Sequence, residues 1–346
     1  MMRSEEQIGR LRPKITDVAR AIGMSSATVS NALNNRRYVD AETREKVLAA
    51  ALRLGYTPNA RARALRTGRA DTIAILSSMP FAIAGGRARL GFLMEVAGAA
   101  ATAALQSGIA LILVPPLEKT RPPLQHLHFD GALVIEPLSE DPEVALLSSR
   151  GVPVVTIGRQ LGVPNIPFVD LHSGDGTRLI LDHLRAAGAS TIGLVIGAQA
   201  RYSYAQTERA YRTFVTAHKK PAIIARADEM HGERAGREAM LELLRTHPEM
   251  DALFVSVDVF AVGAVAAAAE LGRSIPRDLK LATRYDGAPA RECIPPLTAL
   301  NLHLDEGAVL GVQLLLDRIQ GKRTKKSVRA AAPTLIARAS SGPTQA

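Results

Sequence analysis

Ile15-Thr16-Asp17-Val18-Ala19-Arg20-Ala21-Ile22-Gly23-Met24-Ser25-Ser26-Ala27-Thr28-Val29-Ser30-Asn31-Ala32-Leu33 decides how the front of this 346-residue chain folds. Thr16 is placed to cap a short helix over Asp17–Ile22, with Val18, Ala19 and Ile22 on one face. Gly23 supplies a turn, and Ser25 is the next natural N-cap. The helix it opens runs to about Asn34 and turns Val29, Ala32 and Leu33 inward. Ser26, Ala27, Ser30, Asn31 and Asn34 face outward, so the pair reads as a helix-turn-helix with a polar recognition face. A third helix starts at Asp40, buries Val47, Leu48, Ala51 and Leu52, and stops at Gly55. Two helices this short need the third to pack against.

Charge supports a polyanion partner for this module. Residues 1–70 hold 14 Lys/Arg and 6 Asp/Glu, a net +8 of the chain's +10. The stretch Ala60–Leu65 carries Arg61 and Arg63, with Arg66 just beyond and Leu65 as its one large apolar side chain. A helix so short and polar should form only when DNA neutralises its arginines, letting Leu65 wedge into a base step from the minor groove. The plainer alternative is a linker whose leucine packs on the next domain.

The remaining length implies further domains. Strand-like runs at 72–76, 110–114, 132–135, 152–157, 192–196, 222–225, 252–257 and 279–283 alternate with helix-like stretches at 90–106, 174–187, 206–218, 233–246, 260–271 and 305–320. That alternation predicts doubly wound parallel sheets, in two halves that break near Asp170. Ligands bind such sheets at the carboxyl ends of the strands, here across a cleft.

Several chemistries find no support. The single Cys293 excludes an intramolecular disulfide framework and a Cys-based zinc cluster. Met1–Arg12 lacks an apolar signal core and no apolar run of eighteen occurs, so a cytoplasmic protein with no membrane contact is expected. No nucleophile–base pair, metal set, dinucleotide fingerprint or GK[ST] phosphate loop appears, so neither enzyme activity nor a cofactor is expected. His126 and His128 lack partners for a metal.

The runs Ile15-Thr16-Asp17-Val18-Ala19, Gly23-Met24-Ser25, Thr28-Val29-Ser30, Thr43-Arg44 and Leu54-Gly55-Tyr56-Thr57-Pro58-Asn59 resemble the lactose-repressor/galactose-repressor family. Looser landmarks continue to Ala337-Arg338-Ala339-Ser340. The resemblance implies an all-α helix-turn-helix headpiece over 1–57 and a hinge helix and linker over 58–70. An effector-binding core follows over 71–340, then a tail over 341–346. The core would resemble periplasmic sugar-binding proteins, with an N-subdomain of about 71–170 plus 301–330 and a C-subdomain of about 171–300. Three crossovers would join them. The expected function is a transcription regulator, read as a repressor, whose affinity for a pseudo-palindromic operator responds to a small effector. The effector is expected to be a sugar or sugar-derived acid, and the assembly a homodimer, with a tetramer left open. A regulator needing no ligand is the remaining alternative.

Carried over residue by residue, Ser26, Ala27 and Asn31 become base readers. Thr16, Ser25, Thr28 and Ser30 become positioning contacts, with Asn34, Asn59, Arg61, Arg63 and the Leu65 wedge completing the DNA set. Asn31 stands where the family commonly has Arg. Asn suits adenine and Arg suits guanine, so the preferred operator base should differ, unless Asn31 touches only phosphate. In the cleft the resemblance points to Arg209, Asp258 and Asp286; Ser139 and Arg159 end strands that face the same cleft, and Phe81 and Arg87 lie where the first strand empties into it, Arg87 in a segment the family lacks. Plainer roles compete: helix-surface charge for Arg209, N-cap for Asp258, turn residue for Asp286, loop charge for Arg159. Arg284 stands where the family generally has Gly. The segment around Ala84-Gly85-Gly86-Arg87-Ala88-Arg89 is longer than expected, and reads either as an anion-binding lid over the cleft or as a solvated loop.

Overall fold

The computed structural model describes residues 13–33, 39–57, 68–84, 91–116, 124–163 and 165–342. Contacts divide the chain into two units, Met1–Ala70 and Asp71–Ala346.

In the first unit α1 (Ile15–Ala21), α2 (Ser26–Leu33) and α3 (Ala41–Leu54) pack around Val18, Ala19, Val29, Ala32, Val47, Ala50 and Ala51. Thr16 is not the cap of α1. Lys14 is, because the Asp17 carboxylate reaches back to accept the Lys14 amide at 2.8 Å, closing the first turn two residues earlier. The other end signals act as read. Asp40 accepts the Thr43 amide at 2.8 Å, and Gly55 ends α3 at φ +66, where a side chain would clash with its own backbone. Leu48 and Leu52, expected inside, are 50% and 85% exposed: the buried stripe of α3 is Val47, Ala50 and Ala51.

The second unit holds two α/β subdomains. The elements of the first half are β1 (Thr72–Ser77), α4 (Phe81–Ala84), α5 (Gly91–Gln106), β2 (Ala110–Val114), β3 (Gly131–Ile135), α6 (Pro142–Ser149), β4 (Val154–Ile157) and β5 (Phe168–Asp170). The second half adds α7 (Ser173–Ala186), β6 (Ile192–Gly197), α8 (Tyr202–Ala217), β7 (Ile224–Ala227), α9 (Gly232–Thr246), β8 (Ala252–Val255), α10 (Asp258–Glu270), β9 (Lys280–Tyr285), α11 (Ala288–Glu292) and β10 (Thr298–Asn301). The chain ends with α12 (Leu304–Ile319), β11 (Ser327–Arg329) and β12 (Thr334–Ile336). One sheet runs β11-β5-β4-β3-β1-β2 and the other β12-β10-β9-β8-β6-β7, all pairings parallel except β12 on β10.

Strand alternation explains the two-sided burial. Ile73, Ile75, Leu133, Ile135, Val155 and Ile157 pack with Leu93 and Val96 of α5 and Val312 and Leu315 of α12. Ala74, Leu76, Ala132, Val134 and Val154 point the other way, to Val144 and Leu147 of α6. In the second sheet Leu194, Ile196 and Phe254 meet α7 and α8 through Ile180, Leu184 and Tyr211. Val195, Leu253, Val255 and Leu281 meet α9 and α10 through Met240 and Phe260. The last two helices cross at glycines: a Cβ on Gly236 would stand 2.2 Å from Phe260 O, and one on Gly263 2.0 Å from Glu233 O. Only bare backbone permits that approach.

The chain passes between sheets three times, after Asp170, after Asn301 and between Arg329 and Thr334, and α12 returns to the first sheet as expected. The first two crossings are built alike. His172 (φ +53) donates its amide to Asp170 Oδ1, and His303 (φ +49) donates to Asn301 Oδ1, both at 2.9 Å. The segments Pro142–Ser149, Phe168–Asp170, Thr298–Asn301, Ser327–Arg329 and Thr334–Ile336 are regular although the sequence periodicity did not mark them. The strand expected at 222–225 lies two residues later, and α8 begins four residues earlier than expected. No helix among the described residues is long and apolar enough to cross a membrane.

Candidate functional site

In the three-helix unit the packing of Val29 and Ala32 fixes which face of α2 looks outward. Ala27 and Asn31 are exposed, Ser26 and Ser30 half-buried beside them, and Thr16 is exposed on the first turn of α1. Ser25 and Thr28 cap the helix as a pair: Ser25 Oγ accepts the Thr28 amide at 3.0 Å and shares a hydrogen bond with Thr28 Oγ1 at 2.8 Å. Asn34, Asn59, Arg61, Arg63 and Leu65 lie outside the described residues, as does most of the expected hinge helix.

In the second unit the carboxyl ends of both sheets meet in a polar seam. From the first subdomain come Ser78 after β1, Glu136 after β3 and Arg159 after β4. From the second come Arg201, Ser203 and Tyr204 at the start of α8, Glu229 after β7, and Arg284 in β9. Arg201 is 2% exposed and spans the seam. It donates to the backbone oxygen of Glu136, to Ser78 O at 3.0 Å, and through Nε and Nη2 to Glu229 at 3.0 and 2.8 Å. Tyr204 Oη donates to Glu229 Oε1 at 2.7 Å. Burial disfavours the Arg201 charge, yet Glu229 outweighs it and the guanidinium pKa rises; burial and the neighbouring Glu229 push the Tyr204 hydroxyl far up. Arg284 Nη1 meets Glu136 Oε1 at 3.2 Å, and Ser203 Oγ donates to Glu136 Oε2 at 2.6 Å. The Ser139 amide donates to Ala200 O at 2.8 Å, beside a bridge between Leu138 and Arg201. Tyr285 Oη donates to Glu95 Oε2 at 2.8 Å, and burial raises its pKa above the ordinary phenol value.

The expected cleft residues divide. Ser139 and Arg159 lie on the seam, the Arg159 guanidinium standing 5.3 Å from the Tyr202 ring and 5.7 Å from that of Phe168. Phe81 is 41% exposed on the single turn α4. Asp258 is buried at the first residue of α10, where its Oδ1 accepts the Val259 amide at 2.9 Å and its Oδ2 has no partner; burial pushes its pKa up to about 7. Asp286 is held by Arg338. Arg209 is exposed in a groove between α7 and α8 with Arg178, Asp182, Gln206 and His218. It does not join the seam, because Thr207, two residues earlier and on the opposite side of α8, takes the buried position and bonds Thr177. Arg87 lies outside the described residues. Sequence reasoning did not select Glu136, Arg201, Ser203, Tyr204 or Glu229, and noted Arg284 only as a departure. A charge directly after the apolar run Gly131–Ile135 was the one local signal, at Glu136. Among the described residues no group of three His, Cys, Asp or Glu could hold a metal ion.

Comparison with known proteins accounts for both units. Residues 14–59 match the model of bacterial regulatory proteins of the lacI family, and residues 181–341 that of a periplasmic binding protein-like domain. The HTH-type transcriptional regulator CelR of Thermobifida fusca is 31% identical over 330 residues, covering 91% of this chain and 94% of that protein. A solved complex of CelR with cellobiose matches at a TM-score of 0.67 and 28% identity, over 95% of this chain and all of that one. The lac repressor dimer bound to operator and an anti-inducer matches at a TM-score of 0.77 and 25% identity, over 96% and 100%. The chain therefore belongs to the lacI family of bacterial regulatory proteins, as a DNA-binding transcription regulator with a helix-turn-helix unit followed by a periplasmic-binding-protein-like core.

Proposed function

We propose that the protein works in the cytoplasm as a homodimeric repressor. It reads a pseudo-palindromic operator through Ser26, Ala27 and Asn31 of each copy and releases or holds it according to a sugar or sugar-derived acid in the seam. The observation that carries this reading is the seam itself: polar side chains from the carboxyl ends of two parallel sheets meet where three short crossings join the subdomains. A ligand there acts by its difference in affinity between open and closed cores, typically ~1–3 kcal/mol. Family relatives bound to cellobiose or to an anti-inducer support a carbohydrate-like ligand.

The test is selection of bound DNA from a random pool, with and without compounds that raise the melting temperature among neutral sugars, sugar acids and sugar phosphates. Enrichment of a two-fold symmetric site whose retention changes with one of these compounds is expected, and the direction of change assigns inducer or corepressor. A symmetric site insensitive to every stabilising compound would overturn the effector half of the reading. Enrichment of a single half-site would overturn the dimer.

A further inference from the structure

Two side chains of the C-subdomain converge on one carboxylate delivered by the other subdomain, and a third braces one of them. Arg284 of β9 reaches Glu136 Oε1 with Nη1 at 3.2 Å, and Ser203 of α8 donates to Oε2 at 2.6 Å. Ser173 of α7 accepts from Arg284 Nη2 at 3.0 Å, which fixes the plane of the guanidinium. The ion-paired side chains are almost wholly shielded, 8% exposed for Arg284 and 3% for Glu136. Arg201 donates to the Glu136 backbone oxygen, its charge matched by Glu229.

Two features distinguish this from an ordinary buried ion pair. All donors come from one subdomain and the acceptor from the other, so the pair exists only while the seam is closed. Glu136 also sits at φ +48, a left-handed conformation that costs a glutamate steric energy and that glycine adopts freely. Strain retained at a residue whose side chain fills a receptor-like site points to function rather than packing.

We infer that Arg284, oriented by Ser173, forms with Ser203 an anion seat occupied in cis by Glu136, and that an acidic effector places its own carboxylate or phosphate there. This rests on the effector reading above and specifies the ligand's chemistry. A guanidinium shielded from water is costly to leave unpaired, so the seat always holds an anion. Exchanging one carboxylate for another is nearly balanced, and the ligand's remaining contacts decide occupancy. A neutral sugar presents hydroxyls but no charge for Arg284. Entry of an acidic ligand splits the Glu136–Arg284 bridge, so ligand binding is read directly as a change at the seam.

The test uses the full chain with Glu136→Gly, a substitution that the positive φ accommodates, with circular dichroism to verify the fold. Acetate and inorganic phosphate are titrated calorimetrically into wild type, Glu136→Gly and the double variant Glu136→Gly/Arg284→Met. The vacated seat is expected to bind one of these anions at least roughly tenfold more tightly than wild type, and the double variant to lose that gain. No gain in folded Glu136→Gly, or a gain that survives Arg284→Met, overturns the seat. Should the glycine variant not fold, Glu136→Gln carries the same comparison. Operator binding with glucose, gluconate and glucose 6-phosphate separates the two readings. If glucose alone shifts operator affinity and Arg284→Met leaves that shift intact, the seat falls and the effector reading stands. If the vacated seat binds anions but none of the three compounds shifts operator affinity, the effector reading falls while the seat itself is supported.

Discussion

Arg338 holds both carboxylate oxygens of Asp286, Nη1 on Oδ1 at 2.5 Å and Nη2 on Oδ2 at 3.0 Å. The same Nη1 donates to Leu297 O at 2.9 Å, so the guanidinium ties the segment after β12 to the end of β9 and the start of β10. Arg291 stands 3.6 Å from Oδ2. A carboxylate engaged by two arginines of its own chain is structural first. Asp286→Asn is expected to lower unfolding stability by about 2 kcal/mol in urea titration, because the pair is less than a quarter exposed. Unchanged stability with a lost effector response would instead make Asp286 a ligand contact.

Asp258 gives the fold a pH dependence of definite sign. Burial raises its pKa from 3.8 to about 7, with the Val259 amide and Arg291 opposing and Asp286 assisting. Between those values the folded chain keeps a proton that the unfolded chain has lost. Its contribution is therefore complete below about pH 4, declines as pH rises towards 7 and is gone above that. The full range is at most about 4 kcal/mol. Urea midpoints measured from pH 4.5 to 8.5 should fall more steeply in wild type than in Asp258→Asn, and parallel curves would refute the buried proton.

The crossing of α9 and α10 tolerates no side chain at its centre. Gly263→Ala drives a methyl group into Glu233 O and the Arg237 amide, both main-chain atoms of a packed helix. Helix propensity alone would favour alanine by about 1 kcal/mol. The net expectation is a loss of at least about 2 kcal/mol, read as a lower melting temperature by calorimetry. A variant as stable as wild type would mean that the helices separate at little cost.

Asn31 is exposed on the outward face of α2. Its amide matches the adenine N7/N6 edge, and an arginine there matches guanine N7/O6, at ~1–3 kcal/mol per base pair. Asn31→Arg should switch the enriched base at one position of each half-site from adenine to guanine in a DNA selection. An unchanged preference would assign Asn31 to phosphate contact.

What the sequence disclosed follows the range over which each signal acts. Asp40 and Gly55 end α3 as read because a cap is decided within four residues. The strands β1 to β4 and β6 to β9 were legible because two-sided burial writes continuous apolar runs such as Gly131–Ile135, whereas β5, β10, β11 and β12, three or four residues each and part polar, write none. The seam was not, since Glu136 and Arg284 lie 148 positions apart and nothing local to either names the other. Arg209 illustrates a subtler failure. Its residue type suited a ligand, but the phase of α8 is set by Tyr204, Thr207 and Tyr211 packing inward, which turns position 209 to solvent. Asp286 likewise looked like a ligand residue until Arg338, 52 positions away, was brought to it by the antiparallel return of β12.

His172 and His303 have a mechanical meaning. Each opens a helix from the left-handed region directly after a strand of one subdomain, and each is braced by an Asp or Asn two residues earlier. Two short, stiff straps of the same build act like the paired leaves of a door hinge. Each such brace fixes the backbone of its crossing at both ends and so restricts sliding of one subdomain along the other. A change at Glu136 or Arg284 therefore meets two crossings pinned in the same way, which leaves the subdomains few independent ways to shift against each other.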